Sequence, residues 1–210
     1  MVKRNVGLIA GLIAAVALAV IGYSTYAAVQ KRAQQRQVAA LVGDTTEKLR
    51  QALAAKPAPE LVAAIDANLR ATRAPRDPAL ADAAEQYITS AREIARRRVE
   101  SGRLEPLAAA SRRALEGHMS AGRRSDAWFK EAIALKKRVE NEHADLAATL
   151  KALDQILFTL PDVERRLAPR ISAELLLEAK AIDAARSQAQ AEVARVAQDL
   201  ERMRRLTPSG

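Results

Sequence analysis

The hydrophobic pattern begins with a long run that contains no charged residue. Residues 6–29 are apolar, small or uncharged polar residues, with Lys3 and Arg4 before them and Lys31 and Arg32 after them. At about 1.5 Å per residue, a helix over this run measures roughly 36 Å, which is enough to cross a hydrocarbon core of about 30 Å. The pattern therefore predicts a transmembrane helix within an N-terminal segment, residues 1–29.

A cleaved signal peptide is the alternative interpretation of this segment, with residues 25–27 as a small-residue cleavage site. The apolar run is longer than a usual signal core, and the basic residues Lys31, Arg32 and Arg36 disfavour export of a cleaved tail. An uncleaved signal anchor is therefore expected. A short basic tail followed by a long soluble domain is typical of an anchor whose tail stays in the cytoplasm. We expect a single-pass protein of the bacterial inner membrane with its soluble domain in the periplasm.

Small residues recur every four positions within the predicted span, at Gly7, Gly11, Ala15 and Ala19. Such a row lets two helix backbones approach closely, so that van der Waals packing drives their association in lipid. The row predicts a homo-oligomer or a subunit packed against another membrane protein. An Ala-rich span also contains such rows by chance, and both interpretations stay open.

Beyond residue 29 the apolar positions recur at intervals of three and four, which indicates helices throughout. Proline, glycine and capping residues divide this part into predicted helices over 30–56, 60–72, 78–99, 104–119, 126–160 and 162–206. The breaks fall at 57–59, 74–77, Ser101-Gly102, 122–125 and Pro161, with a kink at Pro169. Gly43 marks either a break in the first of these helices or a weak point in a continuous one.

Short connections between long amphipathic helices favour antiparallel neighbours. The predicted fold is therefore all-α: an N-terminal transmembrane helix and then, over residues 30–206, an antiparallel bundle of four to six helices with coiled-coil-like seams. Residues 207–210 are predicted to be a disordered tail. The clearest seam lies in the segment 126–160 and runs through Phe129, Val139, His143, Leu146, Leu150, Leu153, Leu157 and Leu160.

The residue inventory excludes most kinds of catalytic and cofactor site. The chain has no cysteine and two histidines, His118 and His143. No nucleophile, phosphate-loop, dinucleotide or zinc-protease motif occurs. Glu140 and His143 form one ExxH pair, but a di-iron bundle needs a second pair, and Leu115 occupies the corresponding position before His118. We therefore expect a protein that is not an enzyme and that has no cofactor and no metal.

Positive charge is the unusual feature of the composition, with 34 Lys and Arg against 25 Asp and Glu and a formal net charge of +9. The basic residues come in clusters, and the candidate anion or partner surface consists of Arg96, Arg97, Arg98, Arg112 and Arg113. If these share a face, they would attract anionic lipid headgroups, acidic polysaccharide or an acidic protein. The alternative is a set of solvated helix faces in which each cluster is balanced by nearby Glu. No nucleic-acid-binding motif accompanies the charge, so nucleic acid is not an expected partner.

The sequence thus predicts a non-catalytic, membrane-anchored helical scaffold or interaction subunit of a cell-envelope complex. Its expected partners are the inner membrane and other membrane or envelope proteins. A periplasmic ligand-sensing helical bundle is the alternative function.

Overall fold

A computed structural model describes residues 2–54, 58–72, 77–122 and 125–206, with side chains described within residues 23–205 of these ranges. The described residues form helices and connecting turns, and they contain no strand. This confirms the all-α prediction. In chain order the elements are α1 (Val2–Ala54), α2 (Pro59–Ala71), α3 (Pro78–Ser120), α4 (Asp126–Leu167), a short 3-10 turn (Ala173–Leu175) and α5 (Ala179–Leu206).

Helices α3, α4 and α5 form an antiparallel three-helix bundle, and α1 and α2 pack on one end of it. The α1 helix runs in the same direction as α3. The Thr46 and Tyr87 hydroxyls are 2.9 Å apart, and further along both helices Arg98 Nε donates to the Ala52 carbonyl at 3.4 Å. Helix α2 returns antiparallel to α1 and is joined to it by the amide of Asn68, which donates to Asp44 and Thr45.

The bundle consequently has a thick end and a thin end. At the thick end, which we call the proximal end, all the helices contribute to one large apolar core that includes Leu49, Ile65, Tyr87, Leu157 and Ile182. Toward the thin, distal end the core continues as smaller clusters between α3, α4 and α5, made of Leu104, Ala108, Leu115, Val139, Leu146, Leu150, Val196 and Met203.

Among the side chains of α1 that the structure describes, burial begins in the second half of the helix. Val38, Val42, Leu49 and Ala52 are buried, whereas Tyr23 is 76% exposed. In the part of the chain whose side chains are described, no helix is both long and apolar enough to cross a membrane. Most of the predicted span and the whole row Gly7, Gly11, Ala15 and Ala19 lie outside that part.

Two predicted helix breaks are wrong. Helix α3 continues through Ser101-Gly102 and Pro106, and α4 continues through Pro161 to Leu167. A proline removes one backbone donor and crowds the carbonyl four residues earlier. For Pro106 that carbonyl belongs to Gly102, which is exposed, so water can replace the lost bond. Beyond Pro161, continued burial of side chains, Val163 and Leu167 among them, holds the helix in register.

The predicted helix 162–206 is therefore divided differently. Its first residues belong to α4, and the break comes at residues 168–178, which include Pro169 and the 3-10 turn. The structure thus places an interruption where the sequence predicted only a kink. The predicted starts of α3 and α4 are confirmed. Asp77 accepts from the Leu80 amide with Pro78 in the first turn, and Ser125 accepts from the Trp128 amide.

Gly43 lies inside the continuous helix α1, which decides between the two interpretations of that residue. A Cβ atom built on it would come within 3.2 Å of the Leu175 side chain in the 3-10 turn. The absence of a side chain therefore lets the segment between α4 and α5 approach α1 closely at the proximal end.

The tail at residues 207–210 lies outside the described residues.

Candidate ligand-binding site at His143

His143 interrupts the apolar seam of α4 with a buried imidazole. Its exposed fraction is 3%, and Val139 and Leu146, on either side of it along the seam, are also buried. Neither ring nitrogen has a hydrogen bond of ordinary geometry. An unmet polar group in a buried position costs about 1 to 3 kcal/mol, so His143 calls for an explanation beyond packing.

The imidazole borders a cavity of about 210 Å³ between the three long helices. Each helix contributes to the lining. It consists of Glu105, Ala108, Ala109 and Arg112 from α3, His143 and Leu146 from α4, and Arg195, Val196 and Asp199 from α5. The site therefore exists only when these helices are assembled.

Two ion pairs of opposite polarity connect α3 to α5 around this cavity. Arg112 Nη1 donates to Asp199 Oδ2 at 2.6 Å, and Arg195 Nη2 donates to Glu105 Oε1 at 2.7 Å. The first pair is the more enclosed, with side-chain exposures of 31% and 18%, against 59% and 52% for the second. The second pair is therefore a screened pair at the rim, whereas the first lies against the imidazole.

The electrostatic surroundings of His143 keep its ring neutral. Burial lowers the pKa of the imidazole, and Arg112 lowers it further, whereas Asp199, the Ala108 carbonyl and Glu142 favour the protonated form. The result is a pKa below the usual value for histidine. A neutral imidazole has one donor and one acceptor nitrogen.

Arg112 also has an unmet donor, because its Nε atom is buried and has no hydrogen-bond partner in the structure. The cavity therefore combines two unpaired polar side chains from facing helices with apolar walls formed by Leu146, Val196 and two alanines. Sites for small molecules typically have this composition, with a mainly apolar lining and a few polar groups that fix orientation.

Arg96, Arg97 and Arg98, part of the predicted anion surface, are not brought together on one free face. Consecutive residues of a helix point about 100° apart. Arg96 and Arg97 both donate to Glu93, and Arg98 reaches the Ala52 carbonyl on α1. The shared carboxylate offsets part of their charge, as in the alternative interpretation of solvated helix faces.

Arg112 and Arg113, the other two residues of that predicted surface, differ from each other. Arg112 borders the cavity and is paired with Asp199, whereas Arg113 is exposed and bonds the carbonyl of Ala109 on its own helix. Arg112 is therefore the one residue of the predicted set that lines the cavity.

A second buried polar group lies at the proximal end. Glu164, near the end of α4, accepts a hydrogen bond from the Leu177 amide, and its Oε1 atom is buried without a partner. Burial raises the pKa of this carboxyl to about 7. Tyr87 lies near enough to feel its charge, and burial raises the pKa of the Tyr87 phenol as well.

At the distal end the second histidine closes the α3–α4 hairpin. The rings of His118 and Trp128 stack with centroids 5.1 Å apart, and each side chain bonds the carbonyl of the other residue at 3.1 Å. The neighbouring Phe129 is 45% exposed, so its predicted place in the seam of α4 is wrong. One of the two adjacent aromatics is thus packed and the other faces solvent, as helical geometry requires.

Sequence reasoning singled out His143 and Arg112 but missed the α5 side of the site. Arg195 and Asp199 look like ordinary charges of a solvated face, and Asp199 is 87 positions from its partner. Glu164 was missed because nothing local distinguishes it. Among the described residues, no group of three or more acidic or histidine side chains is arranged to hold a metal ion.

No family model, curated protein or solved structure matches this chain.

Proposed function

We propose that the protein is a membrane-anchored helical interaction subunit of the bacterial cell envelope, with its bundle on the periplasmic side. The observation that carries the proposal is the course of α1. This helix is continuous from Val2 to Ala54, its first part contains the uncharged run 6–29, and its second part is buried in the proximal core. An anchor built this way is joined to the bundle without a flexible linker.

The side chains just after residue 22 support the same function. Tyr23 and Tyr26 are exposed on α1, and the next basic residues, Lys31 and Arg32, follow within two to three turns. Tyrosine rings and basic side chains are favourable at the boundary between lipid and water. The row Gly7, Gly11, Ala15 and Ala19 would then pair two anchors and make the protein a homo-oligomer.

Membrane fractionation tests the anchor. The full chain should stay with membranes in high salt and alkaline carbonate and be released by detergent, because burial rather than charge holds it. The double variant Ala14→Arg/Leu18→Arg should move to the soluble fraction, since each charge at the centre of a span costs about 2.5 to 3.5 kcal/mol. The matched variant Ala33→Arg/Ala40→Arg, at two exposed positions of α1 outside the run, should stay with membranes.

Equal fractionation of the two double variants would refute anchoring by this run. A C-terminal reporter that is active only after export tests the orientation, and activity of a cytoplasm-specific reporter instead would reverse it. Pairing of the anchors is tested by cross-linking in membranes. Gly7→Ile/Gly11→Ile should reduce the dimer, whereas Ala17→Ile adds bulk on another face and should not.

A ligand-sensing bundle is the second candidate function, and the cavity at His143 is the observation that favours it. A three-helix interface could fill this position with an apolar residue, yet it has a cavity and unpaired polar groups. Screening small metabolites for a rise in melting temperature tests this function. Ala109→Phe, which fills the cavity, should abolish any rise that comes from this site, and a rise that persists in this variant would place the ligand elsewhere.

A further inference from the structure

We infer that the cavity at His143 binds a small organic carboxylate with a short apolar body. The inference rests on the ligand-sensing function proposed above and names the class of ligand. It follows from the unmet hydrogen-bonding groups, the apolar walls and the size of the cavity.

The hydrogen-bonding groups left over in the cavity are mainly donors. Asp199 Oδ2 and Glu105 Oε1 already accept from arginines. Arg112 Nε is a donor without a partner, and the neutral His143 ring has one donor and one acceptor nitrogen, neither with a hydrogen bond of ordinary geometry. A ligand that satisfies the two donors must therefore bring acceptor oxygens. A carboxylate offers two, and charge-assisted hydrogen bonds to it are about twice as strong as neutral ones.

The rest of the lining selects an apolar body. Ala108, Ala109, Leu146 and Val196 form the walls between the polar groups. The cavity volume is about 210 Å³, and an apolar cavity of ~150 Å³ in another protein holds one benzene molecule. The size therefore fits a short-chain or single-ring acid.

The charges around the imidazole predict that a proton enters with the ligand. His143 faces Arg112 on α3, Asp199 on α5 and Glu142 beside it on α4, and the enclosed Arg112–Asp199 pair is already balanced. A bound carboxylate adds a negative charge, which favours the protonated ring. Protonation also turns the second ring nitrogen into a donor, so binding should strengthen as the pH falls toward the pKa of the free ring.

The test is calorimetric titration of the full chain in detergent micelles with benzoate as the probe. We expect one saturable site with a Kd of about 0.1 to 1 mM, which suits a ligand of this size. Benzamide, the neutral isostere, should bind at least about tenfold more weakly, because it lacks the charge that strengthens the hydrogen bonds from Arg112 and His143.

Variants locate the site. Arg112→Gln should weaken benzoate binding about tenfold or more, whereas Arg113→Gln removes the same charge from the adjacent, outward position and should change it less than twofold. Ala109→Phe fills the cavity without changing any charge and should abolish binding. It keeps the inference testable if Arg112→Gln fails to fold, as judged by circular dichroism.

Nitrogen-15 NMR of labelled histidine provides an independent readout, because the chain has two histidines. Saturation with benzoate should move the His143 ring signals from the neutral to the protonated pattern and leave those of His118 unchanged. His143→Gln identifies the signals.

The inference is wrong if benzoate does not bind, if benzamide binds equally well, or if Arg112→Gln and Arg113→Gln have equal effects. Binding of a different chemical class that Ala109→Phe abolishes would also overturn it. That last result would refute the ligand class but not the ligand-sensing function, so the two proposals can be refuted independently.

Discussion

Burial of Glu164 makes the stability of the bundle depend on pH. The folded protein raises the pKa of this carboxyl to about 7 from its ordinary value of 4.5. Burial is the first cause, and the hydrogen bond from the Leu177 amide opposes it only in part. The folded state therefore holds a proton between these two pH values that the unfolded state releases.

The direction of the effect follows from proton counting. Where the native state binds more protons than the unfolded state, the free energy of unfolding falls as the pH rises. The loss begins near pH 4.5, continues to about pH 7 and then levels off. Between about pH 5 and about pH 8 the difference in pKa corresponds to a loss of about 2 to 3 kcal/mol.

Glu164→Gln tests this reasoning because the amide keeps an acceptor for Leu177 and cannot ionise. Denaturant unfolding followed by far-UV circular dichroism, at several pH values across that range, should show that wild type loses about 2 to 3 kcal/mol more than the variant between the acidic and the basic end. Glu116→Gln on α3 serves as the control and should keep the wild-type slope. Parallel curves for wild type and Glu164→Gln would refute the assignment.

Three further substitutions test the packing. Leu157→Ala, in the proximal core, should lower the free energy of unfolding by about 2 to 5 kcal/mol in denaturant titrations, and a loss below about 1 kcal/mol would show that the core is not packed there. Tyr87→Phe leaves Thr46 without its partner hydroxyl and should cost about 1 kcal/mol, so an unchanged midpoint would contradict that hydrogen bond. His118→Ala removes the ring stacked on Trp128, the single tryptophan, and should shift its fluorescence to longer wavelength. An unchanged spectrum would contradict the stacking.

The sequence predicts the helices well where long apolar periodicity agrees with capping residues. The starts of α3 and α4 coincide with Asp77 and Ser125, whose side chains accept from the first-turn amides. It fails where a local signal conflicts with tertiary burial. Pro161 predicts a helix end, yet side chains beyond it are buried against other helices. The free energy gained by that burial outweighs the loss of one backbone hydrogen bond.

The candidate site could be predicted only in part, for a reason of geometry. His143 is conspicuous because it occupies an apolar seam position, and that signal is local. Asp199 becomes its neighbour only because α5 packs against α4 and reaches α3 through ion pairs, and the register between helices is not encoded in the periodicity of one of them. Glu164 depends in the same way on Leu177, which approaches it through the segment between α4 and α5.

His143 and Glu164 are both polar side chains at positions where an apolar residue would pack better, since each leaves a buried polar atom unpaired. A leucine at 143 would continue the seam between Val139 and Leu146, and such a bundle would avoid the cost of burying the imidazole. Natural sequences depart from consistent packing mainly at functional positions, where stability is given up for binding or switching. The two groups also lie in different parts of the bundle, His143 between the long helices and Glu164 where α1 joins the core. The physical expectation is therefore that the middle of the bundle recognises a ligand, while the proximal end, where α1 continues toward the proposed anchor, responds to pH.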